Sequence, residues 1–592
     1  MTTNEKIELL RGEMKKLGLA AYVVPTTDPH LSEYTPDHYK FRHWLSGFLG
    51  SAGTVVVTME KSGLWTDGRY YIQAAREIEN SEIKLFRAAE PGVKTYTQYL
   101  CDELKKGDVV GISGQFFSQS GADRLKKDLA AKGIELNNEH DLSEKIWLDR
   151  PPLPYSPAFV LDVQYAGETA RSKLGRVRDE MKKRGVTHYV VGKLDAVMWL
   201  SNLRGADIHC CPFAISYALV GPEKAWLYID ERSLDGEVSD KLMGEGFEIR
   251  PYESIYGDIA ALGEDCTLGA DFNAVNSGLT AAAKQCSLKN IRDIVNPFKA
   301  VKNETENKNL MECYENDVVA LTKGFYWIYK CLDEGKKITE YDVFEKLIEL
   351  RAEQPLNLGP SFDTIAAYKG NAAMMHYKPE PDNSAVLERE GMLLIDSGGQ
   401  YLNGTTDITR TLVLGPISDE ERHAFTLVLK SSIAMMTAKF LRGTTGANLD
   451  ILARGPLWDE GIDYKCGTGH GVGFCLNVHE GPQNLSQSLN SAAFEIGMNC
   501  TVEPGVYIEN RYGIRTENDV IVAPFTKTEH GEFYRFELLS YCPIDVSGID
   551  PLLLSGKERA WINAYHEVCR NKLRGRLTDE EYAWLENYTR EI

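Results

Sequence analysis

Asp396, Asp407, His470, Glu503 and Glu517 are the residues of this chain whose types could do chemistry together. Each lies in the C-terminal half, in a short polar or glycine-rich break within an otherwise apolar, strand-like stretch. Four carboxylates and one imidazole suit a pair of divalent cations better than a single ion. Hard oxygen donors favour ions such as Mn²⁺, and a shared carboxylate can bridge two metals. Such a site makes hydroxide from water at neutral pH and steadies an oxyanion, which is hydrolase chemistry.

The elements that must position these groups can be read around them. Met392-Leu-Leu-Ile-Asp396 is an apolar strand ending in an acid. Ser397 to Gly404 supplies turn residues, and Thr405 to Gly415 reads as the return strand, so a hairpin would bring Asp396 and Asp407 to one edge of a cavity. His470 lies in Gly467-Thr-Gly-His-Gly-Val-Gly473, where glycines let the backbone approach closely. That spacing matches neither a P-loop nor a GxGxxG fingerprint, which argues against phosphate binding. Glu503 ends a strand just before Pro504-Gly505, and Glu517 sits in the β-rich run Ile514 to Val522, where a buried unpaired charge would be costly. Taken singly, each has a plainer reading: an exposed loop acid, or a hydrogen-bonded core histidine. Their joint occurrence favours the metal pair. His376, in Ala373-Met-Met-His-Tyr, and His479, in Leu476-Asn-Val-His-Glu, could polarise a scissile carbonyl or hold a tetrahedral intermediate. The alternative for each is a structural hydrogen bond.

The 592 residues are too many for one ordinary domain. A net charge of −20 argues against a nucleic acid or an anionic membrane as partner, because both reward basic surfaces. No apolar run approaches the length of a membrane span, and the charged N-terminal stretch has no apolar core of a secretory signal. The 12 cysteines are scattered without a CxxC pair, and Cys210–Cys211 reads as apolar packing, so a reducing, cytoplasmic setting is expected.

The first third carries a repeat. Arg11 to Val24 recurs as Arg178 to Val191, identical at nine of fourteen positions, each copy reading as a helix end, a glycine stop and a buried strand. Trp44-Leu-Ser-Gly is echoed by Trp199-Leu-Ser-Asn. Two α/β domains made by duplication explain this period, which is too long for a solenoid repeat. Pro151-Pro-Leu-Pro-Tyr-Ser-Pro157 reads as a stiff linker between them. A second boundary falls near Asn296-Pro297. The expected domains are residues 1–150, 151–300 and 301–592. In the third, helical periodicity runs over about residues 304–355, a further helix over 419–441, and the tail from 557 reads as helical. Thr339 with Asp342 and Ser418 with Glu421 resemble capping boxes. The expected class is therefore α/β and α+β: two duplicated α/β domains before a mixed domain with antiparallel strands.

The run LLIDSGGQYLNGTTDITRT, then GTGHGVG, NVHEGP, VEPG and IRTEN, resembles the metal-binding signature of the pita-bread metallopeptidases of family M24, which include aminopeptidase P, prolidase and methionine aminopeptidase. LSEY, SGFLGSAGTVVV, WTDGRYYIQAA and WLSNLRG extend the likeness to the long, three-domain cytosolic aminopeptidase P branch, over nearly the whole chain. The resemblance implies two creatinase-like N-terminal domains and a Xaa-Pro aminopeptidase that releases one residue from peptides with proline second. It implies two divalent ions, with Mn²⁺ the family expectation: Asp407 and Glu517 bridging, Asp396 on one metal, His470 and Glu503 on the other. It implies that hydroxide attacks the carbonyl before proline, with Glu503 as proton acceptor. The peptide's free amine would sit near Asp396. His376 and His479 match the family's non-ligand histidines, and Arg69 matches a position at the mouth of the site. A homodimer is also implied. Four residues before His470 the family often has histidine where this chain has Cys466, a position that is not a metal ligand. Prolidase, cleaving Xaa-Pro dipeptides, is the nearest alternative, but its chains usually carry one N-terminal domain. A peptide-binding pita-bread module without metal ligands is another.

Overall fold

The two copies of the repeat fold alike. In a computed structural model that describes residues 1–592, helix Thr3–Lys16 opens on a capping box between Thr2 and Glu5 and buries Ile7, Leu10 and Met14. Gly18, at φ +68°, turns the chain into strand Ala21–Pro25. The second copy runs from helix Ala170–Lys183 through Gly185, at φ +63°, to strand His188–Val191. Each repeated strand lies fourth of six in its own sheet. The first sheet runs Lys84–Arg87, Ser62–Thr66, Thr54–Thr58, Ala21–Pro25, Val109–Gly111, Glu135–Asn137. The second runs Phe247–Pro251, Ala225–Ile229, Ser216–Val220, His188–Val191, Thr267–Ala270, Ser287–Asn290. Parallel and antiparallel pairings fall in the same places in both. The proline-rich stretch 151–157 has no regular structure.

His30, His38 and His43 form a local cluster whose polar surroundings in the sequence favour solvent exposure, and the structure departs from that expectation. His30 is 1% exposed. Its Nδ1 donates to Gly192 O at 2.8 Å and its Nε2 meets the Tyr252 hydroxyl at 2.9 Å. The loop looks polar because its polar groups serve the second copy: Asn276 Nδ2 also donates to Pro29 O at 2.7 Å. His38 and His43 are half-buried.

The fold divides into two units, 1–162 with 168–295, and 163–167 with 296–592. The second is built around helices and antiparallel strands. Helices Glu304–Asp333, Glu340–Ala352 and Asp419–Met436 open on capping boxes at Asn303, Thr339 and Ser418. The last ends before residue 441, because Lys439–Leu441 pairs instead as an edge strand with Gly531–Leu538. A three-stranded sheet holds Ile365–Tyr368, Met392–Ser397 and Ile408–Val413. A four-stranded sheet holds Lys439–Leu441, Gly531–Leu538, Asn518–Thr528 and Asn499–Val502. Phe425, Val428 and Leu429 of the third helix share one core with Val502, Ile514 and Val520 of the strands. Ile562, Tyr565 and Cys569 of tail helix Gly556–Leu573 join the same core. No helix is long and apolar enough to cross a membrane.

Candidate metal centre

Strand register brings the five residues together. Met392–Ser397 pairs antiparallel with Ile408–Val413, Asp396 opposite Thr409, so Asp396 and Asp407 lie at one end of the hairpin. Gly398 is needed there, since a Cβ would stand 1.9 Å from Thr406 O. In the second sheet Val502 pairs with Asn518, which sets Glu503 and Glu517 side by side just beyond the last pair. The backbone N–H of Glu517 donates to Thr409 O at 3.1 Å, tying this end to the hairpin. His470, on Gly469–Gly471, is fixed from the other side: its N–H donates to Thr501 Oγ1 at 3.1 Å, and Glu503 N–H donates to Thr468 O at 2.8 Å. A Cβ on Gly469 would lie 1.9 Å from Thr501 O, so the glycine permits the approach.

The ligand atoms of Asp407, His470 and Glu517 all lie within 4.8 Å of one another. That is close to the span one ion bridges at about 2.0–2.2 Å per bond. His470 Nδ1 donates to Gly471 O at 2.9 Å, which leaves Nε2 as the acceptor. This nitrogen is 3.5 Å from both Asp407 Oδ2 and Glu503 Oε1, too long for hydrogen bonds and suited to a cation between them. Asp396 Oδ1 is buried without a hydrogen-bond partner, an acceptor that a cation would satisfy. The donor set is hard oxygen with one imidazole nitrogen, which fits divalent ions of the Mn²⁺ type.

Electrostatics point the same way. Burial, then Glu517 and Asp396, hold the Asp407 carboxyl well above the ordinary range. Burial, then Glu503 and Asp396, do the same to Glu517. Glu503 is pushed up to about 7 by burial, against the pull of Arg515 and with a further push from Asp396. So many acids packed together resist ionisation until positive charge arrives.

Several residues of this assembly escaped the sequence reading. Arg515 Nη2 donates to Asp396 Oδ2, while its Nη1 donates to the Tyr507 hydroxyl at 2.7 Å. Thr409 Oγ1 donates to Glu517 Oε2 at 2.6 Å. Buried Asp519 accepts from the Tyr314 hydroxyl and from Asp407 N–H. A signal existed: Arg515, Glu517 and Asp519 alternate along one extended run, the period of residues sharing a face. Cys466 is half-buried, its carbonyl accepting from Arg454 at 2.7 Å. His479 meets His470 edge-on, with ring centroids 4.4 Å apart. His376 follows the short helix Lys369–Ala373, which packs on the strands bearing Asp396 and Arg515. Arg69 lies in the first unit, where its guanidinium grips Asp67 at 2.9 Å through two nitrogens.

Beside His479, Glu480 is fully buried between Lys299, at 2.6 Å, and Lys302. Removing its charge would strand two buried ammonium groups. Glu480→Gln is expected to destabilise this unit by about 3–5 kcal/mol, read as a shift of its chemical-unfolding midpoint.

Comparison with known proteins accords with this geometry. Models of the creatinase/prolidase N-terminal domain match residues 6–146 and 149–306. Metallopeptidase family M24 matches 308–524, and the C-terminal region of that peptidase matches 532–592. Relatives from Coprinopsis cinerea and Paracoccidioides brasiliensis, both named "Probable Xaa-Pro aminopeptidase P", are 38% identical over 100% of this chain and 98–99% of their own. The crystal structure of a Caenorhabditis elegans X-prolyl aminopeptidase, described as cytosolic with a di-nuclear active site, covers 100% of both chains at 33% identity and a TM-score of 0.96. A Bacillus anthracis Xaa-Pro dipeptidase covers 64% of this chain at 23% identity and a TM-score of 0.51, a likeness of fold. The chain thus belongs to the Xaa-Pro aminopeptidase P branch of metallopeptidase family M24, two creatinase-type α/β domains followed by a pita-bread α+β domain.

Proposed function

We propose that this chain is a two-metal Xaa-Pro aminopeptidase that hydrolyses the bond between an N-terminal residue and a penultimate proline. The observation that carries this reading over the dipeptidase is coverage. Both copies of the N-terminal domain align with the aminopeptidase, whereas the dipeptidase match spans 64% of the chain. Domain limits near residues 150 and 300 belong to the same reading.

Asp396, Asp407, His470, Glu503 and Glu517 would hold the two ions, Asp407 and Glu517 serving both, Asp396 one, and His470 and Glu503 the other, with Mn²⁺ as the ion. Two such ions, when bound, lower the pKa of water and polarise a carbonyl. The chain's own residues do the rest. Glu503 accepts the proton of the attacking water, and His376 and His479 hold the carbonyl oxygen as it gains charge. Arg515 and Thr409 fix the Asp396 and Glu517 carboxylates from behind. The peptide's amine is placed near Asp396, which limits release to one residue. A contribution of Arg69 to peptide binding rests on the family likeness. The same likeness supports a cytoplasmic homodimer.

Metal-loaded protein is expected to release glycine from Gly-Pro-Leu and to cleave the dipeptide Gly-Pro at least about 100-fold more slowly, since the dipeptide forgoes binding energy beyond proline. A chelator should abolish activity and Mn²⁺ restore it. Equal or faster cleavage of Gly-Pro would make the chain a dipeptidase, and purified protein that neither binds metal nor cleaves would make it a binding module.

A further inference from the structure

Glu340 opens helix Glu340–Ala352 but takes no part in its capping box, which Thr339 and Asp342 complete. An acid at this position ordinarily faces water, yet Glu340 is 0% exposed. Its Oε1 accepts from Tyr368 N–H at 2.6 Å and Asn371 Nδ2 at 3.0 Å. Its Oε2 accepts from the Tyr377 hydroxyl at 2.8 Å and Ala385 N–H at 2.8 Å. Four donors fill the acceptor capacity of one carboxylate. The helix N-terminus stabilises the charge as well.

All four donors belong to one stretch of chain, residues 368–385, and His376 lies inside it. Tyr377, the residue after His376, packs with Tyr507 on the cluster Ile365, Ala367, Ala372 and Leu394. Tyr507 accepts from Arg515, which bonds Asp396. One buried carboxylate thus anchors the loop that carries His376 against the wall that carries the candidate metal ligands.

We propose that Glu340 is a positioning residue for the peptidase reaction, its carboxylate setting the 368–385 loop so that His376 is held at the substrate carbonyl. The inference rests on the reading of His376 as a substrate-binding residue. Replacing the carboxylate by an amide turns one acceptor into a donor, which opposes two of the four bonds and lets His376 drift. A displacement of about 1 Å at a positioning group costs on the order of 100-fold in rate.

The test is a double-mutant cycle on metal-loaded, full-length protein, with kcat and KM measured separately on Gly-Pro-Leu, and amide exchange followed over residues 368–385. Glu340→Gln is expected to lower kcat/KM by about 10- to 100-fold at unchanged metal stoichiometry, with faster exchange at Tyr368 and Ala385. Tyr377→Phe, which removes one of the four bonds, is expected to cost about 10-fold and serves if Glu340→Gln does not fold. In a His376→Ala background either change should cost less than about twofold, because the group they position is gone. Full kcat/KM in both variants, or losses as large in the His376→Ala background as in the parent, would overturn the role of Glu340 while leaving that of His376 intact. Undiminished kcat/KM in His376→Ala itself would overturn both.

Discussion

Asp407→Asn and Glu517→Gln are each expected to lower kcat/KM on Gly-Pro-Leu by at least about 1,000-fold, and to reduce bound metal measured by elemental analysis. Both residues are buried, at 4% and 1% exposure, so water cannot readily replace a lost carboxylate oxygen. The expected effect on metal-free protein is opposite in sign. Burial and neighbouring acids hold both carboxyls well above their ordinary range, so each amide relieves repulsion and desolvation. The metal-free variants should therefore melt no lower than the metal-free parent, while metal raises the melting temperature of the parent far more. Thr409→Val, which removes the 2.6 Å bond to Glu517 and leaves every ligand in place, should cost about 10- to 100-fold. A ligand variant retaining more than a tenth of the parent's activity would sink the metal assignment, and one that merely unfolds would show as a lowered melting temperature.

These candidate ligands were legible because their signals are local. Asp396 ends an apolar strand, His470 sits among glycines that a neighbouring backbone requires, and capping residues mark helix starts such as Ser418 and Thr339. The repeat around Arg11 and Arg178 announced two sheets of one design before any strand was paired. What could not be read is set by pairing between distant strands. Thr409 serves Glu517 from 108 residues away, and Arg515 reaches Asp396 across 119. His30 misled for the same reason: its polar loop finds its partners 162 and 222 residues along the chain, and a loop satisfied by protein reads like one satisfied by water. Glu340 has no motif at all, since its meaning lies in four donors spread over 368–385.

Acid should act on this fold through two histidines that are not among the candidate metal ligands. His566 is 0% exposed, and its Nε2 accepts from Ile544 N–H at 3.2 Å. Burial, then Arg570 and Arg410, push its pKa down to about 3. The neighbouring Arg410 donates to the backbone carbonyls of Thr409 and Glu517 and to the Tyr565 hydroxyl, so a proton on His566 adds a second buried cation beside the scaffold of the metal site. A histidine whose folded pKa lies below its unfolded value of about 6.5 takes up its proton more readily on unfolding. Its stabilising contribution is complete above pH 6.5 and is lost as pH falls toward 3, by about 1.4 kcal/mol per pH unit over most of that window. By pH 4.5 the loss is about 3 kcal/mol. His566→Gln keeps an acceptor for Ile544 N–H and cannot titrate. The difference in unfolding free energy between this variant and the parent should therefore change by about 3 kcal/mol between pH 7 and pH 4.5, in the variant's favour at low pH, whatever carboxylates contribute to both. His43, pushed to about 3 by burial and then by Arg42 and Lys40, imposes the same liability on the first unit, so the benefit of His566→Gln should be confined to the unfolding of the second. Parallel pH profiles for parent and variant would mean that His566 is already protonated in the fold, and that Arg410 tolerates it.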